Sequence, residues 1–122
     1  MYAKTLNPVN IYQENSVNTA SPGKLIIMLY DGAIKFCRFA EMAIDEKNIE
    51  RRHVNIKKAK RIIQELAFTL NRDIEISEQL GSLYAFMERE LINANVQNDK
   101  NKIITVREML EELKGAWESI VN

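Results

Sequence analysis

Four stretches of this chain place apolar side chains every three to four residues, and that spacing fits one face of a helix rather than the alternation of a strand. At about 100° per residue the repeats trace four stripes. The first holds Leu25, Leu29, Ala33, Phe36, Ala40 and Ala43, and the second Ile49, Ile56, Ala59, Ile63, Leu66 and Leu70. The third holds Leu80, Leu83, Tyr84, Met87, Leu91 and Ala94, and the fourth Ile103, Val106, Leu110, Leu113, Trp117 and Ile120. A Trp or Met in such a stripe is core material and needs no other role. With only 2 Pro and 4 Gly in 122 residues, little in the chain interrupts these repeats.

Polar breaks divide the stripes. Ser21 reads as the N-cap of the first helix and Pro22 as its first residue. Serine can accept from a free helix N–H, and proline has no N–H to leave unbonded. This helix runs to about residue 46. Asn48 caps a second helix that runs to about residue 70, and Asn71-Arg72-Asp73 breaks it. A third helix starts near Ser77 and runs to about residue 97. Asn98, Asp99 and Asn101 mark the last turn before a fourth helix over about 102–121. Short connections between helices predict antiparallel neighbours. The expected fold is all-α: an antiparallel up-down four-helix bundle over residues 21–122, preceded by an irregular N-terminal arm over 1–20. The arm is rich in Asn, Ser and Thr and lacks sustained periodicity.

Charge and composition exclude several functions. Lys and Arg number 17, Asp and Glu also 17, and the pI is near 6.6. A nucleic-acid binder needs a basic excess to neutralise phosphates, so no nucleic-acid partner is expected. The longest apolar run, Leu25 to Tyr30, is far too short for a membrane span, and no membrane insertion is expected. Residues 1–20 carry no apolar segment of the signal-peptide kind, and Cys37 has no second cysteine to pair with. Both suit a reducing cytoplasm.

Catalysis finds no footing either. Glu50 and His53 share the Glu-x-x-His spacing of di-iron bundles, but such a site needs two motifs and His53 is the only histidine. Cys37 and His53 lie at different heights of a hairpin that turns near residues 47–48. Ser21-Pro22-Gly23-Lys24 lacks the spacing of a phosphate loop. No carboxylate pair sits in an apolar stripe. No enzyme, metal or cofactor is expected.

The informative residues are the apolar ones left over after the core is filled. Ile27, Ile34 and Ile44 flank the first stripe on one side, with Met28, Phe39 and Met42 on the other. Val54 and Phe68 lie behind the second stripe. Gly81, Ala85, Ile92 and Val96 form a narrow lane behind the third. Lanes at helical spacing suggest docking grooves. Two other readings stand beside this one: Ile34, Ile44 and Met28 as the edge of the core, and a homodimer that buries the lanes mutually. In the arm, Ile11, Tyr12 and Val17 are large apolar residues placed to pack on the upper part of the first helix, near Ile27, Tyr30 and Ile34, or to staple its start.

The segment from Tyr12 to Ile34, YQENSVNTASPGKLIIMLYDGAI, resembles the signature of the FliS family of flagellar export chaperones. Leu70-Asn71, Leu83-Tyr84, Leu91, Ala94-Asn95 and Ala116-Trp117 extend the resemblance over nearly the whole chain. It implies a four-helix bundle in the bacterial cytosol. The implied client is the disordered C-terminal segment of flagellin, held against premature polymerisation and delivered to the flagellar type III secretion apparatus. With the lanes above, it points to Ile27, Tyr30, Ile34, Val54, Phe68, Ala85, Ile92, Asn95 and Val96 as the flagellin-binding surface. Ile11, Tyr12 and Val17 would form a cap that yields to the client. The flagellar export gate is a further expected partner. The alternatives are a structural homo-oligomer and a regulatory adaptor of flagellar assembly.

Overall fold

The computed structural model describes residues 22–71 and 73–121. They form four helices: α1 (Pro22–Asp45), α2 (Ile49–Phe68), α3 (Ile76–Gln97) and α4 (Lys100–Val121). Helix α1 packs on α2 and α4, and α3 packs on the same two. The helices therefore close a four-membered ring around one core, the up-down bundle that the stripes predict. The Ser21 cap and the arm lie outside the described residues.

Two tight turns set the antiparallel register at one end. After α1, Lys47 takes the left-handed conformation (φ 57°). The Asn48 N–H reaches back to the Ala43 carbonyl at 2.8 Å, and the Lys47 N–H to that of Ile44 at 3.0 Å. This paired bonding satisfies carbonyls that a helix end leaves open. Asn48 then caps α2, its Oδ1 accepting from the Arg51 N–H at 3.0 Å. The α3–α4 turn repeats the device. Asn98 is left-handed (φ 56°), Asp99 N–H reaches Ala94 O, and Asp99 Oδ1 accepts from the Asn101 N–H.

At the opposite end a longer connection joins α2 to α3 through Asn71. Its side-chain oxygen accepts from the Asp73 N–H, and its carbonyl accepts from the Ser77 hydroxyl and the Ile74 N–H. Ser77 is thereby buried at 4% exposure with its hydroxyl satisfied.

Most of the expected core is buried, including Leu25, Ala33, Ala40, Ile56, Ile63, Leu66, Met87, Leu91, Ile103, Val106 and Leu110. Each of the larger aliphatic side chains among them contributes on the order of 1.5–3 kcal/mol when removed from water. Helix α1 is rotated slightly from the ideal wheel. Tyr30 and Cys37 are fully buried, while Leu29 and Phe36 pack partly buried against the core. Tyr30 therefore does not belong to an outer surface. Burial is permitted because its hydroxyl is satisfied, at 2.5 Å from the Tyr84 hydroxyl and 3.2 Å from Trp117 Nε1, which donates to it.

Three residues assigned to the core are exposed instead: Ile49, Leu83 and Ile120. Ile49 is the first residue of α2 and Ile120 lies in the last turn of α4, so both stripes outrun the ring. Leu83 yields its core position to its neighbour Tyr84. Ile34 and Ile44 pack at the core edge, whereas Met28, Phe39 and Met42 are exposed.

The α1–α4 seam is laced by charge. Lys100 meets Asp45, Arg107 meets Glu41 at 2.6 Å, Arg38 meets Glu111, and Lys114 meets Asp31. Along α1–α2, Gly32 marks a close approach: a Cβ there would lie 3.1 Å from Ile62 Cδ1.

Candidate functional site

Among the described residues, two of the concavities on the bundle surface bear on binding. The larger, a cleft of about 460 Å³, opens at the end that carries the α2–α3 connection. It exists because the apolar stripes run past the last full layer of the ring. Ile26 of α1, Leu70 just past α2, Leu80 of α3 and Leu113 of α4 supply its depth, and Ile74, Ile76, Ala116 and Ile120 its mouth. Ile74, Ile76 and Ile120 are exposed at 51%, 54% and 76%, and Phe68 at the same end of α2 at 68%. Clustered apolar exposure of this kind marks a surface that a partner covers.

Tyr84 and Trp117 also line the cleft, tied through the Tyr30 hydroxyl. Burial raises the pKa of both tyrosines above the ordinary phenol value, so they remain neutral hydrogen-bonding groups at physiological pH. Their role is to hold the floor of the cleft in one shape. The Cys37 thiol has no exposure, and burial pushes its pKa up to about 12. It is a packing residue and not a nucleophile. Among the described residues no group of His, Cys, Asp and Glu could hold a metal ion, and no helix is long and apolar enough to cross a membrane.

The smaller concavity, about 180 Å³, lies between α2 and α3 toward the tight-turn end. Its floor is Ile56, with Ile92 and Val96 on the α3 wall and His53, Lys57 and Lys60 on the α2 wall. Asn95 also lines it, accepting from Arg52 Nε at 3.0 Å while its amide meets His53 Nδ1 at 2.8 Å.

The residues singled out in the sequence fall into distinct places. Ile92, Asn95 and Val96 come together in the α2–α3 groove. Phe68 stands exposed at the cleft end, while Val54 and Ala85 are exposed but line neither concavity. Ile27 and Ile34 are half-buried on α1, and Tyr30 is core. Ile11, Tyr12 and Val17 lie outside the described residues. Sequence reasoning missed the cleft itself. Its signal was present in Ile74 and Ile76, two isoleucines that follow the polar run Asn71-Arg72-Asp73.

A family model described as flagellar protein FliS matches residues 5–122. The flagellar secretion chaperone FliS of Bacillus subtilis is 46% identical over 115 residues, which cover 94% of this chain and 86% of that protein. The protein of the same name from Campylobacter jejuni is 35% identical over 115 residues, 93% of this chain and 90% of its own. A solved bacterial flagellar chaperone shares the fold with a TM-score of 0.77 at 23% identity, over 92% of this chain and 93% of that one.

Proposed function

The chain belongs to the FliS family, a family of chaperones and not of enzymes, and on that premise we propose that it is a cytosolic flagellar export chaperone. Its client is the disordered C-terminal segment of flagellin. By covering that segment it blocks premature polymerisation and keeps flagellin ready for the flagellar type III secretion apparatus. The names of the relatives support the export role, and one observation supports the mode of action: an apolar cleft whose mouth and neighbourhood expose Phe68, Ile74, Ile76 and Ile120. No chemical step is required. Assembly surfaces of an unpolymerised subunit are apolar and must be hidden, and a partner with apolar surface outside its own core can hide them.

Ordering a disordered segment costs conformational entropy, so affinity needs wide contact. The cleft, the exposed Phe68 and the α2–α3 groove lie on successive parts of the bundle and together offer such a path. Residues 1–20 precede α1, whose Ile26 lines the cleft. Ile11, Tyr12 and Val17 are the arm residues suited to rest on this apolar end until the client displaces them. That competition lowers apparent affinity by the fraction of time the arm is docked.

Calorimetric titration with monomeric flagellin tests the reading. Intact flagellin, and its C-terminal segment alone, should bind saturably with a negative heat-capacity change, and flagellin lacking that segment should not. Equal binding by the truncated flagellin would overturn it. Removal of residues 1–17 should tighten binding of the segment or leave it unchanged; a large loss of affinity in a folded protein would make the arm part of the binding surface.

A further inference from the structure

We infer that the α2–α3 groove is a recognition site for an acidic amphipathic helix, a partner chemistry distinct from the uncharged cleft. The first observation is a charge imbalance. Helix α2 carries Arg51, Arg52, Lys57, Lys58, Lys60 and Arg61 against Glu50 and Glu65, a net of +4 in a chain whose formal charge is zero. The second is how these cations are used. On the opposite seam, α1 and α4 pair their charges across the helices. Around the groove they do not. Arg51 is held by Glu46, and Lys58 lies over the Phe36 ring. Lys57 and Lys60, on the groove wall, have no carboxylate partner among the described residues. The nearby α3 carboxylates are engaged: Glu88 with the Gln64 amide at 2.6 Å, and Glu90 with Lys102.

The third observation is shape. Ile92 and Val96 are one helical turn apart, exposed at 45% and 80%, beside the buried floor residue Ile56. A groove between two antiparallel helices with anchors at i and i+4 is the geometry that receives a third helix along its apolar face. Two unpaired lysines along one wall, with apolar residues facing them, call for carboxylates on one flank of that helix. A membrane surface fits less well, because the cations line one wall of a concavity instead of ringing a convex apolar face. The inference rests on the reading that puts this groove on the client's path, and because its probe is a peptide unrelated to flagellin, the two can fail separately.

The probe is a dye-labelled designed helix with leucines at i and i+4 flanked by glutamates, and its control carries glutamine at the same positions. Anisotropy titration of the full chain should show saturable binding of the acidic peptide, about tenfold or more tighter than the control and weakening as salt rises. Methyl resonances of Ile92 and Val96 should shift. Lys57→Glu with Lys60→Glu should reduce binding by about tenfold or more, with helicity and unfolding midpoint retained, whereas Lys58→Glu should leave it nearly unchanged. Equal binding of the two peptides, shifts confined to the cleft residues, or insensitivity to Lys57→Glu with Lys60→Glu would overturn the inference. So would lysine-dependent capture by phosphatidylglycerol vesicles without peptide binding.

Discussion

At the scale of single residues, exposure separates side chains that fold the bundle from those free to bind. Leu66 is 1% exposed and Phe68, two residues on, is 68% exposed. Leu66→Ala should therefore destabilise by about 2–5 kcal/mol, the cost of a core cavity. Phe68→Asp should change stability by about 1 kcal/mol or less while weakening client binding. Thermal unfolding of the two variants checks the pair, and unfolding by Phe68→Asp would refute the face assignment. Cys37 supplies a second residue-scale test. Its folded pKa is raised from 9.0 to about 12, so above pH 9 the unfolded chain gives up this proton more readily than the folded one. Stability should be fully present below about pH 9 and fall as pH rises toward 12. Buried Tyr30 and Tyr84 act in the same direction. Denaturant titrations at pH 7, 10 and 11 should show the midpoint falling, with part of that slope removed in Cys37→Ala. Burial was legible in the sequence for the middle of each stripe, as at Ala33, Ile63, Leu91 and Val106. The pattern failed at Tyr30, which lies off the first stripe on the ideal wheel and whose phenol is seen to be satisfied only once Tyr84 and Trp117 are in place.

At the scale of elements, the helices were readable because their ends carry chemical signals. Asn48 and Asp99 each place a side-chain oxygen on a free N–H of the helix that follows, and both positions were visible as breaks. The left-handed residue was not: Lys47 occupies a conformation that favours Gly, with φ 57°. An L-residue other than Gly is strained there, and the Lys47–Ile44 and Asn48–Ala43 backbone bonds hold it. Lys47→Gly should relieve that strain and stabilise by about 1 kcal/mol. Asn48→Ala should cost about 1 kcal/mol through loss of the cap. Chemical denaturation of both variants measures the opposing shifts, and destabilisation by Lys47→Gly would contradict this account of the turn. The cleft was illegible at this scale for a related reason. A helical wheel shows which face is apolar but not where the neighbouring helix ends, so Ile120 and Ile49 read as core although no neighbouring helix covers them among the described residues.

For the molecule as a whole, core and binding surface are parts of the same stripes, divided by where the ring of four helices closes. At the tight-turn end, caps and left-handed turns finish the helices. At the other end the stripes continue into an apolar cleft over a hydrogen-bonded aromatic floor. Charge follows the same division, paired along α1–α4 and unpaired along part of α2. In the proposed function the client completes the apolar layer that the bundle leaves open. Hydrogen exchange of the full chain, with and without the C-terminal segment of flagellin, tests that claim most directly. Binding should slow exchange in the α2–α3 connection over 69–75 and in the last turns of α4. Core amides around Ile63, Leu91 and Val106 should keep the rates that global unfolding sets. Slowing confined to the tight-turn end, with the connection and the end of α4 unchanged, would contradict it.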